Sequence, residues 1–116
     1  MSCDEFLPLK PHWFHVLVAL SEQPQHGYGI MQDILERTDG KVRLWPPTLY
    51  GTIKRLIEEG LIEPSETRPA PALDDARRRY YSLTGLGRRV LAAECDRLED
   101  LIRVVHARRG VRERKA

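Results

Sequence analysis

The spacing of apolar residues most constrains this chain, because it divides the 116 residues into separate helical and strand segments. Apolar side chains recur three or four positions apart in four stretches, which is the spacing of one buried helical face. These stretches predict a first helix at about 11–22, a second that ends at 38–40, a third at about 47–59 and a long fourth from Thr84. Prolines suit the first and third helix starts, Thr84 suits an N-cap, and Gly60 suits a left-handed C-cap.

Two short segments between the third and fourth helices predict strands. Residues 61–64 are apolar and residues 79–83 contain two tyrosines, so both favour a β-conformation and can pair as a hairpin. The stretch between them is rich in proline and aspartate, which predicts a projecting wing. We therefore expect a mainly α fold with a small β-hairpin: a winged helix-turn-helix at 7–83, one further helix at 84–109 and a basic frayed tail at 110–116.

Composition excludes several classes of protein. A hydrophobic content of 41% suits one domain with a real core. No apolar run approaches the roughly 20 residues of a membrane span, and Asp4 and Glu5 stand where a signal peptide would be basic, so we expect a cytoplasmic protein. Cys3 and Cys95 have no CxxC partner, which argues against a metal site. The chain has no nucleophile motif and no glycine-rich phosphate loop, so we expect neither enzymatic activity nor a cofactor.

Charge is distributed unevenly along the chain. The net charge is only +2, but residues 1–40 hold two basic and six acidic side chains, a net −4. Residues 41–116 hold 17 basic and 11 acidic side chains, a net +6. A polyanion should therefore bind the second part of the chain.

The third helix has one apolar and one polar face. Its apolar residues fall within a narrow stripe that should pack inward, namely Leu49, Ile53, Leu56 and Ile57. The opposite side and its flanks carry Thr48, Tyr50, Gly51, Thr52, Lys54 and Arg55, together with the acidic Glu58. In a DNA major groove such side chains bind phosphates and base edges, and a glycine permits close approach. An ordinary solvated face has a similar composition, so this helix alone leaves both interpretations open.

Three ordered motifs resemble the PadR family of winged-helix regulators. They are HGYGIMQDI at 26–34, TLYGTIKRLIEEGLI at 48–62 and RRRYYSLTGLGRRVL at 77–91. The resemblance covers roughly residues 7–105 and is to the compact branch of the family, which has one C-terminal dimerisation helix.

The resemblance implies a DNA-binding repressor. It places the start of the second helix near His26, and we expect the ring of this histidine to satisfy a backbone group there. It assigns DNA contacts in the recognition helix to Thr48, Tyr50, Lys54 and Arg55. It assigns phosphate or minor-groove contacts at the end of the wing to Arg77, Arg78 and Arg79.

The fourth helix carries more apolar surface than packing on a three-helix core requires. Leu91, Leu98 and Val105 are seven positions apart, and Leu101 and Ile102 fill the space between them. We expect this surface to form a homodimer whose two recognition helices bind a two-fold symmetric operator. The alternative is that this helix folds back onto its own domain, and helix 1 could share either interface.

Two further hypotheses concern ligands and partners. Trp13 and Phe14, with Trp45, could line a pocket for a small aromatic effector, although packing in the core is the stronger explanation for them. The alternative function is that of a winged-helix module that binds protein rather than DNA. Such a module should have a more apolar third-helix face than Gly51, Lys54 and Arg55 provide.

Overall fold

The computed structural model describes residues 3–68, 78–108 and 110. A 3₁₀ turn at Cys3–Phe6 precedes four helices and three strands. The helices are α1 (Pro11–Ala19), α2 (Gly27–Arg37), α3 (Pro46–Glu58) and α4 (Gly85–His106). The strands are β1 (Gln25–His26), β2 (Ile62–Ser65) and β3 (Tyr80–Leu83). This order is a winged helix-turn-helix followed by one long helix, and it confirms the predicted fold class.

The helix ends follow from local chemistry. Gly60 has φ of 79° and terminates α3 in the left-handed region, which glycine adopts without strain. Thr84 caps α4, because its Oγ1 accepts a hydrogen bond of 2.9 Å from the Gly87 N–H and donates one of 2.6 Å to the Gly60 carbonyl. Helix α1 ends at Ala19, three residues before the predicted end, and the Ser21 hydroxyl donates to the Val18 carbonyl just beyond it.

The sheet has one strand more than the predicted hairpin. Strand β3 lies in the centre and pairs antiparallel with both β1 and β2. Strand β1 has only two residues, too few for an alternating pattern, so the sequence gives no strand signal there. Its pairing places His26 opposite Tyr80 and thereby fixes the start of α2 against the base of the wing.

The core lies between the first three helices, the sheet and the start of α4. Its fully buried side chains come from every predicted apolar stripe, including those of Val16, Leu17, Ile30, Ile34, Leu49, Leu56, Leu61 and Val90. Ile57 was predicted to face inward but is 36% exposed. It lies at the edge of the α3 stripe and in the last turn of the helix, where no other element covers it fully.

Helix α1 is also tied to α2 by polar contacts. Arg37 donates a hydrogen bond of 3.0 Å to the His15 carbonyl and pairs with Asp33 at 2.8 Å. Burial, and then the positive charges of Arg37 and His12, hold the pKa of His15 below its usual value. The lowered pKa favours the neutral form of His15 at the surface between the two helices.

The first half of α4 belongs to the core of the domain. A Cβ at Gly87 would overlap the Leu61 carbonyl oxygen, so only glycine lets the helix approach the backbone just before β2 this closely. Further along, the buried Glu94 carboxylate accepts a hydrogen bond from the Leu9 N–H at 3.2 Å and two from Arg97 at 2.6 and 2.9 Å. The Arg97 hydrogen bonds hold the pKa of Glu94 below its usual value against the effect of burial. This cluster anchors the N-terminal segment on α4.

Candidate nucleic-acid interface

Helix α3 exposes a polar surface on the side opposite the core. We call Thr48, Tyr50, Gly51, Lys54 and Arg55 the recognition face, because all five are exposed in the structure. Open space surrounds the position that a Gly51 Cβ would occupy, so the face has a low point at its centre. Arg55 makes an ion pair of 3.7 Å with Glu58 whose side chains are both more than half exposed. An exposed pair of this kind contributes little stability and leaves Arg55 available to another anion.

Thr52 was predicted on the flank of this face, and the prediction of its exposure is wrong. Its exposed fraction is only 8%, because the start of α1 covers it. Thr52 lines a small cavity there together with Pro11 and Trp13. It therefore belongs to the α1–α3 contact and is not available to a partner of the recognition face.

A groove of about 330 Å³ joins the recognition face to the start of α2 and the base of the wing. We call it the wing-base groove, and it is lined by His26, Gly27, Tyr28, Tyr50, Arg78, Arg79 and Tyr81. The Tyr50 ring lies so close to the Gly27 backbone that a Cβ on Gly27 would overlap it. Burial, and then the neighbouring Tyr50, raise the pKa of Tyr81, so its hydroxyl stays protonated at neutral pH.

His26 connects the start of α2 to the wing. Its Nδ1 accepts a hydrogen bond of 3.0 Å from the Gly29 N–H, which confirms the predicted role at the helix start. Its Nε2 lies 2.9 Å from Arg78 Nη1, and its ring packs edge-on against Tyr80 with centroids 5.2 Å apart. The positive end of α2 and the arginines of the wing therefore border the same groove.

The wing base carries arginines on both sides of the hairpin. Arg78 and Arg79 are exposed before β3, as predicted, whereas Arg77 lies outside the described residues. Arg68 was not predicted as a site residue. Its guanidinium donates a hydrogen bond of 2.7 Å to the Arg78 carbonyl and stacks over the Tyr80 ring at 4.9 Å. A cation just before the proline-rich wing was the only signal for it in the sequence.

The described part of this surface suits a polyanion. Lys54, Arg55, Arg78 and Arg79 are exposed along it, and the acidic residue that α3 exposes is Glu58, the partner of Arg55. The N-terminus of α2 borders the groove and adds a partial positive charge. Such an arrangement can bind the phosphates on both sides of a DNA groove while the polar groups of α3 reach base edges.

Trp13 and Phe14 do not form one pocket. Trp13 lines a cavity of about 500 Å³ between the N-terminal segment and α3, together with Phe6, Lys10 and Arg55 among others. The Lys10 ammonium lies 5.0 Å from the Trp13 ring centroid. Phe14 does not line this cavity, and both aromatic side chains also pack against the hydrophobic core. Of Trp13 and Phe14, only Trp13 therefore faces this cavity.

The last turns of α4 expose a cluster of apolar side chains. We call Leu101, Ile102, Val104 and Val105 the apolar end of α4, and their exposed fractions lie between 42% and 52%. Leu91 and Leu98, which were predicted to share this surface, are only half exposed or less, and Leu91 packs against the core of its own domain. Val104 was missed because it lies to one side of the seven-residue pattern.

The described residues show neither a metal-binding cluster nor a membrane-spanning helix. Among these residues, no group of three or more His, Cys, Asp or Glu side chains is arranged to hold a metal ion. Within the same part of the chain, no helix combines the length and the apolar character needed to cross a membrane.

Comparison with known proteins relates this architecture to one family. A family model described as "Transcriptional regulator PadR-like family" matches residues 16–93. A transcriptional regulator of Mycobacterium tuberculosis is 34% identical over 91 residues, which are 78% of this chain and 78% of that protein.

Solved structures show the same fold. A transcriptional regulator from Clostridium thermocellum matches 92% of this chain and 96% of its own, with a TM-score of 0.67 and 25% identity. Bacillus subtilis PadR, in complex with operator DNA, matches 74% of this chain and 47% of its own, with a TM-score of 0.60 and 22% identity.

Proposed function

Since the chain belongs to the transcriptional regulator PadR-like family, we propose that it is a sequence-specific regulator that reads double-stranded DNA with α3. The observation that carries this proposal is the continuity of the recognition face with the wing-base groove, because Tyr50 belongs to both. Members of this family regulate transcription and are not enzymes, so the chain is a regulator rather than a catalyst.

The two parts of the surface have different roles in this proposal. Helix α3 enters the major groove, where Thr48, Lys54 and Arg55 contact base edges and adjacent phosphates. The wing-base groove binds the sugar–phosphate backbone through Arg78 and Arg79, which fixes the orientation of α3 but carries little sequence information. The neighbour from Bacillus subtilis, whose structure contains operator DNA, supports a DNA partner for this fold.

We further propose that the chain acts as a homodimer and a repressor. One recognition helix reads few base pairs, so a second copy related by two-fold symmetry would supply a usable specificity. The apolar end of α4 supports the dimer, because these side chains extend beyond the core and remain exposed in a single protomer. In this proposal residues 7–83 bind DNA and residues 84–109 form the dimer, whereas the basic residues of 110–116 are assigned to neither.

The composition of the recognition face argues against the alternative of a protein-binding module. The fully buried centre of a protein interface is usually depleted in charged residues. The recognition face contains Lys54 and Arg55, and the groove beside it contains two further arginines. A surface of this chemistry fits a polyanion better than an apolar partner.

A prediction for the wing separates phosphate contacts from base contacts. Replacing Arg78 and Arg79 with glutamine should weaken binding to all DNA sequences by a similar factor. Each lost phosphate contact should also reduce the slope of log affinity against log salt by about 0.9. Fluorescence anisotropy with a specific and a random duplex at several salt concentrations measures both effects. If the preferred sequence changed while the slope stayed constant, these arginines would be reading bases instead.

We also propose a small aromatic effector at the Trp13 cavity. Its volume of about 500 Å³ suits a small ligand, and Arg55 lines it as well as belonging to the recognition face. A flat phenol stacked on Trp13 should therefore weaken DNA binding by displacing Arg55. Titration of a Trp45→Phe variant with phenols and naphthols should quench Trp13 fluorescence saturably. An unsaturable response to every compound would exclude this effector site.

A further inference from the structure

The connection between α2 and α3 exposes charged and aromatic side chains on one side. Along residues 41–45, Val42 and Leu44 turn toward the core, whereas Lys41, Arg43 and Trp45 are exposed. This alternation is typical of an extended segment, in which every second side chain lies on the same side. The connection therefore presents two cations and an indole on a single edge that leads into α3.

Trp45 is more exposed than core packing would explain. Its exposed fraction of 62% is the largest among the exposed large apolar side chains of the described residues. It occupies the N-cap of α3, but its side chain makes no capping hydrogen bond there. Serine, threonine, asparagine or aspartate would stabilise this position better. The indole thus contributes little to the fold at a position where a smaller polar residue would contribute more.

The Trp45 ring is paired with a cation. The Arg43 guanidinium lies over the ring, 5.0 Å from its centroid. An aromatic side chain that carries a cation on its face offers an apolar surface and a positive charge together. The backbone of DNA presents the complementary chemistry, since apolar deoxyribose carbons alternate along it with phosphates.

We propose that Lys41, Arg43 and Trp45 bind the DNA backbone at the edge of the groove that α3 enters. This inference rests on the proposed DNA-binding function and extends its contact surface. The N-terminal residues of a recognition helix lie deepest in the major groove, so the residues just before them pass the bordering strand. Trp45 packs against a deoxyribose, and Lys41 and Arg43 contact the phosphates on either side.

Trp45→Ser tests the role of the indole. Serine is a preferred N-cap, so this change should keep or raise the melting temperature, whereas loss of a purely structural tryptophan would lower it. DNA affinity should fall about tenfold, the effect of losing one packed interface contact. If Trp45→Ser bound DNA as tightly as the wild type does, this inference would be wrong, and the proposed function would be unaffected. If the wild type itself bound no DNA, both would fail.

The two cations have their own test. Lys41→Gln and Arg43→Gln should each reduce the salt slope by about 0.9 without changing the preferred sequence, because phosphate contacts carry little base information. Arg89→Gln is the matched control, since Arg89 is an exposed arginine on α4. Equal slopes for all three variants and the wild type would exclude these phosphate contacts.

A spectroscopic measurement reports on Trp45 directly. In a Trp13→Phe variant Trp45 is the remaining tryptophan of the chain. Its high exposure predicts strong quenching by acrylamide in the free protein, and bound DNA should protect it from the quencher. If quenching were the same with and without saturating DNA, Trp45 would lie outside the contact surface and the inference would be wrong.

Discussion

Replacing Lys54 and Arg55 together with alanine should abolish sequence-specific DNA binding and leave the fold intact. Both side chains are exposed on α3, outside its buried stripe, so their loss should not disturb the core. Each good contact to a base contributes about 1–3 kcal/mol of discrimination. Loss of both should therefore reduce specific affinity by about 100-fold or more. Competition between a specific and a random duplex, followed by anisotropy, measures this ratio.

A second double variant controls for the loss of charge. Arg88 and Arg89 are exposed at the start of α4. Their replacement by alanine also removes two positive charges, but at a distance from the recognition face in the sequence. This control should bind DNA nearly as well as the wild type at moderate salt, because long-range effects between exposed charges are screened. Circular dichroism should be unchanged in both variants. If the variant without Lys54 and Arg55 distinguished the specific from the random duplex as well as the wild type does, α3 would not be the element that reads the bases.

The second large effect concerns the dimer. Ile102→Glu should convert a dimer of about 27 kDa, twice the 13.4 kDa of the chain, into a monomer. Ile102 is 52% exposed in one protomer, so the change should not unfold the domain itself. In a two-fold interface the substitution would bury two carboxylates, and buried unpaired charges are strongly disfavoured. Sedimentation velocity at micromolar concentration measures the mass, and operator affinity should fall with it.

Ala92→Glu provides the matched control on the same helix. Ala92 is exposed on α4 but lies away from the stripe formed by Leu98, Leu101 and Ile102. This variant should sediment as the wild type does. Leu98→Glu is less informative, because Leu98 is half-buried within its own protomer and the change could also destabilise the domain. If Ile102→Glu remained a dimer, the dimer interface would lie outside the apolar end of α4.

The helices could be predicted from sequence because their signals are local. Apolar spacing, the prolines in the first turns of α1 and α3, Gly60 and the Thr84 cap each act within a few residues of the chain. Strand β1 could not be predicted, since two residues have no periodicity and the strand exists only through its pairing with β3. The close approach of Gly87 to Leu61 likewise depends on how α4 packs, not on the residues next to it.

The site was predictable where a helical face determines it and less so where several elements meet. The recognition face follows from the α3 pattern, but Thr52 is covered by α1, which the pattern of α3 does not contain. Arg68 joins the wing base only through the pairing of β2 and β3. Trp45 was first interpreted as a pocket residue, and its exposure depends on the path of the chain before α3.

Selection of bound sequences from random double-stranded DNA tests the central claim most directly. The wild-type protein should enrich one motif with two-fold symmetry, with half-sites about one helical turn apart, as expected for two recognition helices of a dimer. The variant without Lys54 and Arg55 should enrich none from the same pool. Failure of the wild-type protein to enrich any motif, at a salt concentration where it still binds DNA, would contradict sequence-specific recognition by α3.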